Sequence, residues 1–368
     1  MANPDPIQKL LEAKRQAFVF SAYQVWAEHR GISEHWSGGI TDYWKNEQVG
    51  DTHYFDIGSV TKSVLTASVL ARAVDRGDVL LSDPVSKFLP QFSSLDVGKI
   101  KLVNLLSHTA GLNAWMPFHK SGEKSVTQWL QHHASSLLAT PVDGQTKAVY
   151  SDVGFWILGA VIEKIWGSLA KAFEEEVRGP LRLSHVVFGP VDGRSAVATE
   201  FREARGLPLR GIVFDENAEA MGGTASHAGL FATASGLAPW ARAWLDARQD
   251  RTRWLSKKTA EIFTNPAFSQ SGTWALGWDT RSGTGSSSGK RFSLASYGHL
   301  GYPGASVWID PVQDAFAILL TNRVHPSRLD ERIRQFRPQF HDLLWEHWQG
   351  ENDGMSRKSP GSEGDTGV

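Results

Sequence analysis

The sequence predicts an α+β fold in which one antiparallel sheet is assembled from both ends of the chain, with a helical domain inserted between them. Three observations carry this. Segments rich in aromatic and β-branched residues stand near the N-terminus, at residues 17–28 and 31–41, and return only from residue 273. Between about residues 78 and 255 the pattern is mostly helices and loops. The length, 368 residues, leaves room for two packed parts.

In order along the chain, Pro6 followed by Ile7, Leu10, Leu11 and Phe18 predicts an amphipathic helix with proline in its first turn, where the missing N–H costs nothing. The two early strand segments are separated by His29-Arg30-Gly31, a turn that predicts a hairpin. A helix follows over 59–76, with Val60, Val64, Leu65, Val69, Leu70 and Val74 at helical spacing and Gly77 at its stop. Further helices are predicted over 152–166 and 237–247. Strands are predicted over 273–280, 294–299, 305–309 and 315–321, and a last helix over 329–348. The polar, glycine-rich residues from Gln349 onward are expected to be disordered. Residues 1–348 are therefore expected to form one unit, its α/β part about 1–77 and 256–348 and its helical part about 78–255, with a tail over 349–368.

Composition narrows the function. Lys and Arg number 38 against 39 Asp and Glu, for a formal charge of -1, so the basic excess that a phosphate backbone demands is missing and nucleic acid is not an expected partner. No run approaches the ~18 apolar residues of a membrane span. Cysteine is absent, which removes disulfides, thiolate nucleophiles and cysteine-built metal sites together. The first twenty residues carry five charges among them and no apolar stretch suited to export, giving a cytoplasmic expectation.

The pattern S-x-x-K occurs at Ser59-Val60-Thr61-Lys62, at Ser121-Gly122-Glu123-Lys124 and at Ser287-Ser288-Gly289-Lys290. Only the first opens a predicted helix, where residues three apart share a face and a lysine amine can reach a serine hydroxyl. Phe55-Asp56-Ile57-Gly58 before it reads as a strand end, placing that hydroxyl beside free backbone N–H groups. Taken alone, the pattern is as readily an N-cap serine followed by a solvated lysine. Tyr150-Ser151-Asp152 precedes the 152–166 helix, so a phenol and a carboxylate would project from a turn, although a tyrosine there is commonly just a packed aromatic. Tyr297-Gly298-His299-Leu300-Gly301-Tyr302 ends a strand with glycines that let a substrate approach the backbone, or forms a simple glycine-rich turn.

These segments in this order resemble the serine β-lactamase and penicillin-binding-protein superfamily, in its class C-like esterase and D-aminopeptidase branch. Asn104-Leu105-Leu106-Ser107-His108-Thr109-Ala110-Gly111-Leu112, Asp215-Glu216-Asn217-Ala218 with Gly222-Gly223, His227-Ala228-Gly229-Leu230-Phe231 and Trp308-Ile309-Asp310-Pro311 are similar to its blocks as well. The resemblance spans residues 18–324 and implies an α/β sandwich: an antiparallel sheet flanked by terminal helices, with an inserted helical domain. It implies Ser59 as the acylated nucleophile, Lys62 as the group that helps remove its proton, and Tyr150 as general base with a pKa lowered by Lys62. The N–H groups of Ser59 and Tyr302 would form the oxyanion hole, and His299 would keep the site electropositive. Asp152, Gly301, Tyr302 and Trp115 are the expected substrate-contacting residues.

Two positions depart from the family pattern. Asp152 stands where an asparagine is usual, and a carboxylate only accepts hydrogen bonds where an amide also donates. Leu300 replaces a hydroxyl residue that would help bind a substrate carboxylate. Both changes favour small acyl esters over β-lactams or D-Ala-D-Ala peptides. The expectation is a serine hydrolase of carboxylesterase type acting on a small-molecule ester or amide, without cofactor or metal; a D-aminopeptidase, DD-carboxypeptidase or weak β-lactamase, or a non-catalytic binding protein on the same fold, are the alternatives. Gly285-Ser286-Ser287-Ser288-Gly289 matches a nucleophile-elbow pattern but lacks the strand and helix an elbow needs. The thirteen histidines form no H-E-x-x-H, and of the fifteen tryptophans Trp115 is the one expected near the pocket.

Overall fold

The computed structural model describes residues 5–140, 147–268 and 272–356. Helix α1 (Pro6–Gln16) begins where expected because the Asp5 carboxylate accepts the Ile7 N–H at 2.8 Å, and it buries Ile7 and Leu11. Phe18 does not continue its apolar face. The backbone there turns left-handed, φ 58°, to enter the first strand, leaving the ring exposed against Tyr43. Strands β1 (Ala22–His29) and β2 (Ile32–Gly39) pair antiparallel, joined by Arg30 and Gly31, both at positive φ, 51° and 79°, the twist a two-residue hairpin turn requires.

The helix expected over 59–76 is not regular throughout. It widens to π over Lys62–Ala67 and continues as α2 (Ser68–Arg76), closing on Gly77 at φ 79°. The Ser68 hydroxyl donates to the Ser63 carbonyl five residues back, and the Ser63 hydroxyl leaves the helix to donate to the Gly277 carbonyl at 2.7 Å, so side chains satisfy what the wide turn frees. Helix α3 (Asp152–Trp166) is capped by Ser151, whose hydroxyl accepts the Gly154 N–H at 3.1 Å, and is buried almost all round. Helix α4 (Ala234–Arg248) carries Trp240 and Trp244 into the same core.

The inserted region also holds short strands that periodicity did not resolve. Leu230–Ala232 and Val186–Phe188 join Phe55–Asp56, the strand end expected before Ser59, in one small sheet, and Ala198–Arg202 pairs with Leu207–Arg210.

Strands β3 (Asp279–Thr280), β4 (Tyr297–Leu300), β5 (Ser306–Asp310) and β6 (Ala315–Thr321) complete the main sheet, in the order β2-β1-β6-β5-β4-β3 with every neighbour antiparallel. The expected strand over 273–280 shrinks to two residues because the chain folds back at Gly277, with the Ala275 N–H on the Trp278 carbonyl. Likewise a turn between Ser293 and Ser296 consumes the start of the 294–299 strand. Strand β6 explains the layering: Ala315, Ala317 and Leu319 face α1 and the last helix α5 (Ile333–Ser356), while Phe316, Ile318 and Leu320 face the helical core. The sheet is thus the middle of three layers.

Helix α5 starts later than expected and runs past Trp348 into the segment read as disordered; between Trp348 and Pro360 the sequence has no proline to stop it, and residues 357–368 lie outside the described ones. Among the described residues no single helix is long and apolar enough to cross a membrane, and the one bent pair that passes together, at 79°, includes α3, which lies in the core.

Candidate active site

The site grows from the joint between the small sheet and the π-widened helix. Asp56 ends its strand fully buried, and its carboxylate accepts the Gly58 N–H at 2.8 Å and the Phe214 N–H at 2.7 Å. Burial pushes that carboxyl up to about 6. Gly58 is left-handed, φ 50°, and a side chain on it would stand 2.5 Å from Pro303 and 3.2 Å from the Tyr302 nitrogen, so glycine alone lets the 301–304 loop close over Ser59. Among the described residues neither the Ser59 nor the Tyr302 N–H donates to a protein acceptor.

Ser59, Lys62 and Tyr150 come together. The Lys62 Nζ is fully buried and donates to Ser59 Oγ at 3.1 Å and to the His227 carbonyl at 3.0 Å, with Asp152 Oδ1 at 2.7 Å. It stands 4.8 Å from the centre of the Tyr150 ring, whose hydroxyl feels both Lys62 and Ser59. Burial would strip Lys62 of its proton, but Asp152 and Tyr150 together outweigh it and hold the amine above its ordinary range. Tyr150 departs from the expectation. Burial raises its phenol, and the charge of Lys62, which pulls the other way, does not offset it.

His299 is likewise corrected. Its Nδ1 donates to the Leu300 carbonyl at 2.8 Å and Nε2 is buried without a partner among the described residues; burial and the Lys62 charge hold the ring down at about 3. The imidazole is therefore neutral, a lone-pair acceptor rather than a source of positive charge.

The cleft has two lobes meeting at Ser59. One, about 340 Å³, is walled by Tyr150, Trp274, Leu300, Tyr302, Arg323 and Arg337, with Gly301 and His299 at its back. The other, about 300 Å³, lies between Trp115, Phe214 and Tyr302 and bears Asp152, Asp215 and Glu216. Trp115 and Tyr302 are half-exposed, as pocket walls should be. Asp152 does line this lobe, yet its nearest charge is Lys62, so it belongs as much to the machinery as to the substrate surface.

Asp152, Asp215 and His227 bring ligand atoms within 4.8 Å of one another, which invites a metal. The chemistry argues otherwise: the Trp156 Nε1–H donates to His227 Nδ1 at 3.1 Å, leaving the ring proton on Nε2 toward Asp215, and the Lys62 ammonium stands where a cation would bind. The other two S-x-x-K matches build nothing comparable. The Ser121 hydroxyl donates to the Phe118 carbonyl, and Ser287 accepts the Trp308 indole N–H.

A family model described as Beta-lactamase matches residues 15–339. The chain belongs to the beta-lactamase family. It is 34% identical over 308 residues to the N-acetylmuramyl-L-alanine amidase of Bacillus subtilis (strain 168), covering 75% of this chain and 69% of that one. It is 31% identical over 309 residues to a Salmonella agona (strain SL483) protein named "Putative D-alanyl-D-alanine carboxypeptidase", covering 76% and 71%. The fold matches that of "EstCE1, a hydrolase with promiscuous acyltransferase activity" at a TM-score of 0.74 and 20% identity, over 92% of this chain and 97% of that one. A Sulfitobacter sp. EE-36 beta-lactamase aligns at 0.71 and 20%, over 94% and 99%. This beta-lactamase-family chain is a serine hydrolase.

Sequence reasoning missed Arg323 and Arg337 as cleft walls, held Trp274 only as one of several tryptophans that could line a cleft, and gave no role to His108, Asp215 or His227. The last three sit in segments that resembled family blocks. The two arginines carry no local signal, since they reach the cleft from the end of β6 and from α5.

Proposed function

We propose that this protein cleaves small acyl esters through an acyl-enzyme on Ser59. The observation that carries it is the contact of one buried ammonium, Lys62, with Ser59 Oγ, Asp152 and Tyr150 at once. Ser59 Oγ attacks the substrate carbonyl carbon while its proton passes to Tyr150 in the phenolate form that Lys62 stabilises; Tyr150 then returns the proton to the leaving alkoxide. The oxyanion sits between the N–H groups of Ser59 and Tyr302, each worth on the order of 3 kcal/mol. Water then takes the same route to release the acid. Because burial raises Tyr150, the base form is the minor one at neutral pH, and kcat/KM should climb through the alkaline range.

A second reading, cleavage of an amide next to a carboxylate, is favoured by Arg323 and Arg337. Both are buried in the wall of the first lobe, and their hydrogen bonds run to backbone carbonyls of residues 301, 302, 305, 328 and 330 rather than to acids. They offer the positive charge that Leu300 does not. The names of the amidase and carboxypeptidase relatives point the same way.

The test is a panel of short-chain p-nitrophenyl esters, nitrocefin and D-amino-acid amides, with fluorophosphonate labelling in parallel. We expect ester turnover at least about a hundredfold above nitrocefin in kcat/KM, label on Ser59, and both lost in Ser59→Ala but retained in Ser121→Ala and Ser287→Ala. Amide turnover above ester turnover selects the second reading. Unchanged hydrolysis by Ser59→Ala sinks the mechanism, and folded protein that neither labels nor turns over is a binding protein.

A further inference from the structure

His108 holds the chain on both sides of Tyr150. Its backbone carbonyl accepts the Val149 N–H at 2.9 Å, and its Nδ1 accepts the Ser151 N–H at 3.1 Å. Between these two bonds Tyr150 is the one residue left to project, and the His108 ring lies against it with centroids 4.6 Å apart, packed also on Trp274 and Phe155 at 4.9 and 5.2 Å.

The backbone at this position is itself unusual. His108 is left-handed, φ 60°, a region that few residues other than Gly, Asn, Asp and His enter. Left-handed geometry turns the carbonyl and the imidazole of one residue toward the same passing strand of chain. The residue is buried, and Nδ1 acceptance places the ring hydrogen on Nε2, which has no acceptor among the described residues. A buried imidazole N–H without an acceptor costs stability, which the grip of Nδ1 on the Ser151 N–H helps to explain.

We propose that His108 is a positioning residue for Tyr150: by gripping residues 149 and 151 it fixes the phenol over Lys62 and Ser59. The proposal rests on Tyr150 as the base. Burial, with the charge of Lys62 and the nearness of His299, keeps His108 neutral, so it acts through geometry and carries no proton of its own in the reaction.

Asparagine and glycine separate the parts of this device, since both accept a left-handed backbone and only Asn offers an oxygen near the place of Nδ1. We expect His108→Gly to lower kcat for p-nitrophenyl acetate about a hundredfold with KM within about threefold, and to slow fluorophosphonate labelling of Ser59 in step. His108→Asn should recover all but about fivefold of that loss, with the alkaline rise of the pH profile kept. Equal activity of the glycine variant and the parent overturns the proposal. So does a folded asparagine variant as impaired as the glycine one, because the acceptor would then be irrelevant. Should His108→Gly fail to fold, His108→Ala takes its place under the same outcomes. Full activity in Tyr150→Phe would instead strike down the base assignment, so the two failures are told apart.

Discussion

The two lobes of the cleft share Ser59, Tyr150 and Tyr302 but satisfy their charges in opposite ways. In the acidic lobe each carboxylate already has a partner: Asp152 with Lys62 at 2.7 Å, Asp215 with His227 at 3.1 Å, Glu216 with Arg328 at 2.6 Å. In the other lobe Arg323 and Arg337 lie buried with carbonyl partners only, Arg323 also stacked 4.1 Å over the Tyr302 ring, and burial together with neighbouring arginines draws Arg337 down to about 9. Asp279, the one carboxyl lining that lobe among the described residues, is bonded by Thr273 and pushed up to about 6 by burial. Paired charges serve the protein's own machinery. Under the second reading, the arginine charges, hydrogen-bonded to backbone carbonyls, keep attraction to spare for a substrate carboxylate.

Breaking the acidic lobe should have the larger effect. Asp152→Asn leaves Lys62 buried without its counter-charge, and removing one partner of a buried pair costs about 3–5 kcal/mol. We expect ester kcat/KM to fall at least about a hundredfold, and the melting temperature with it. Lys62 is raised in the folded chain above its ordinary 10.5, so its stabilising contribution is full below that pH and fades as pH climbs through the higher folded value. In the variant this contribution disappears, so melting curves of the two proteins recorded from pH 7 upward should converge. A variant as active and stable as the parent would show that Asp152 is only a wall.

Breaking the arginine lobe should be visible only as a ratio. Arg323→Gln also loosens the Tyr302 carbonyl, so the informative quantity is kcat/KM for 3-carboxyphenyl acetate divided by that for phenyl acetate. One charge-assisted contact is worth about 1.5–3 kcal/mol, so the ratio should fall about tenfold or more. An unchanged ratio would make the arginines purely structural.

The smallest effect on activity concerns Asp56, whose carboxylate holds the Gly58 and Phe214 N–H groups behind the cleft and whose loss is read as stability. Its folded value of about 6 against an ordinary 3.8 means stability that is present below about 3.8 and lost as pH rises through 6, on the order of 3 kcal/mol. Urea unfolding at pH 4 and pH 7 should show Asp56→Asn gaining on the parent at the higher pH. A difference that is equal at both would remove Asp56 from this balance.

The starts of α1 and α3, the first hairpin and the nucleophile segment were legible because their causes are local: Asp5 and Ser151 cap their own helices, Arg30-Gly31 turns its own strands, and Ser59 and Lys62 lie one turn apart. The shortened β3 and the small inner sheet were not, since a two- or three-residue strand exists only where a distant partner offers a ladder. Phe18 was misplaced for a related reason, as the sheet, not the helix, dictates where the chain turns.

From sequence alone came the α+β plan, readable from periodicity and the order of segments, and the family resemblance, which in turn implied Ser59, Lys62, Tyr150 and His299 as the candidate machinery. Tertiary structure decided what those groups are electrically. Whether a lysine stays charged, a tyrosine is raised or a histidine is neutral depends on burial and on charges from segments far away in sequence. Asp152 meets Lys62 across ninety residues, and Arg323 and Arg337 reach the cleft only because the last strand and last helix close the sheet behind it.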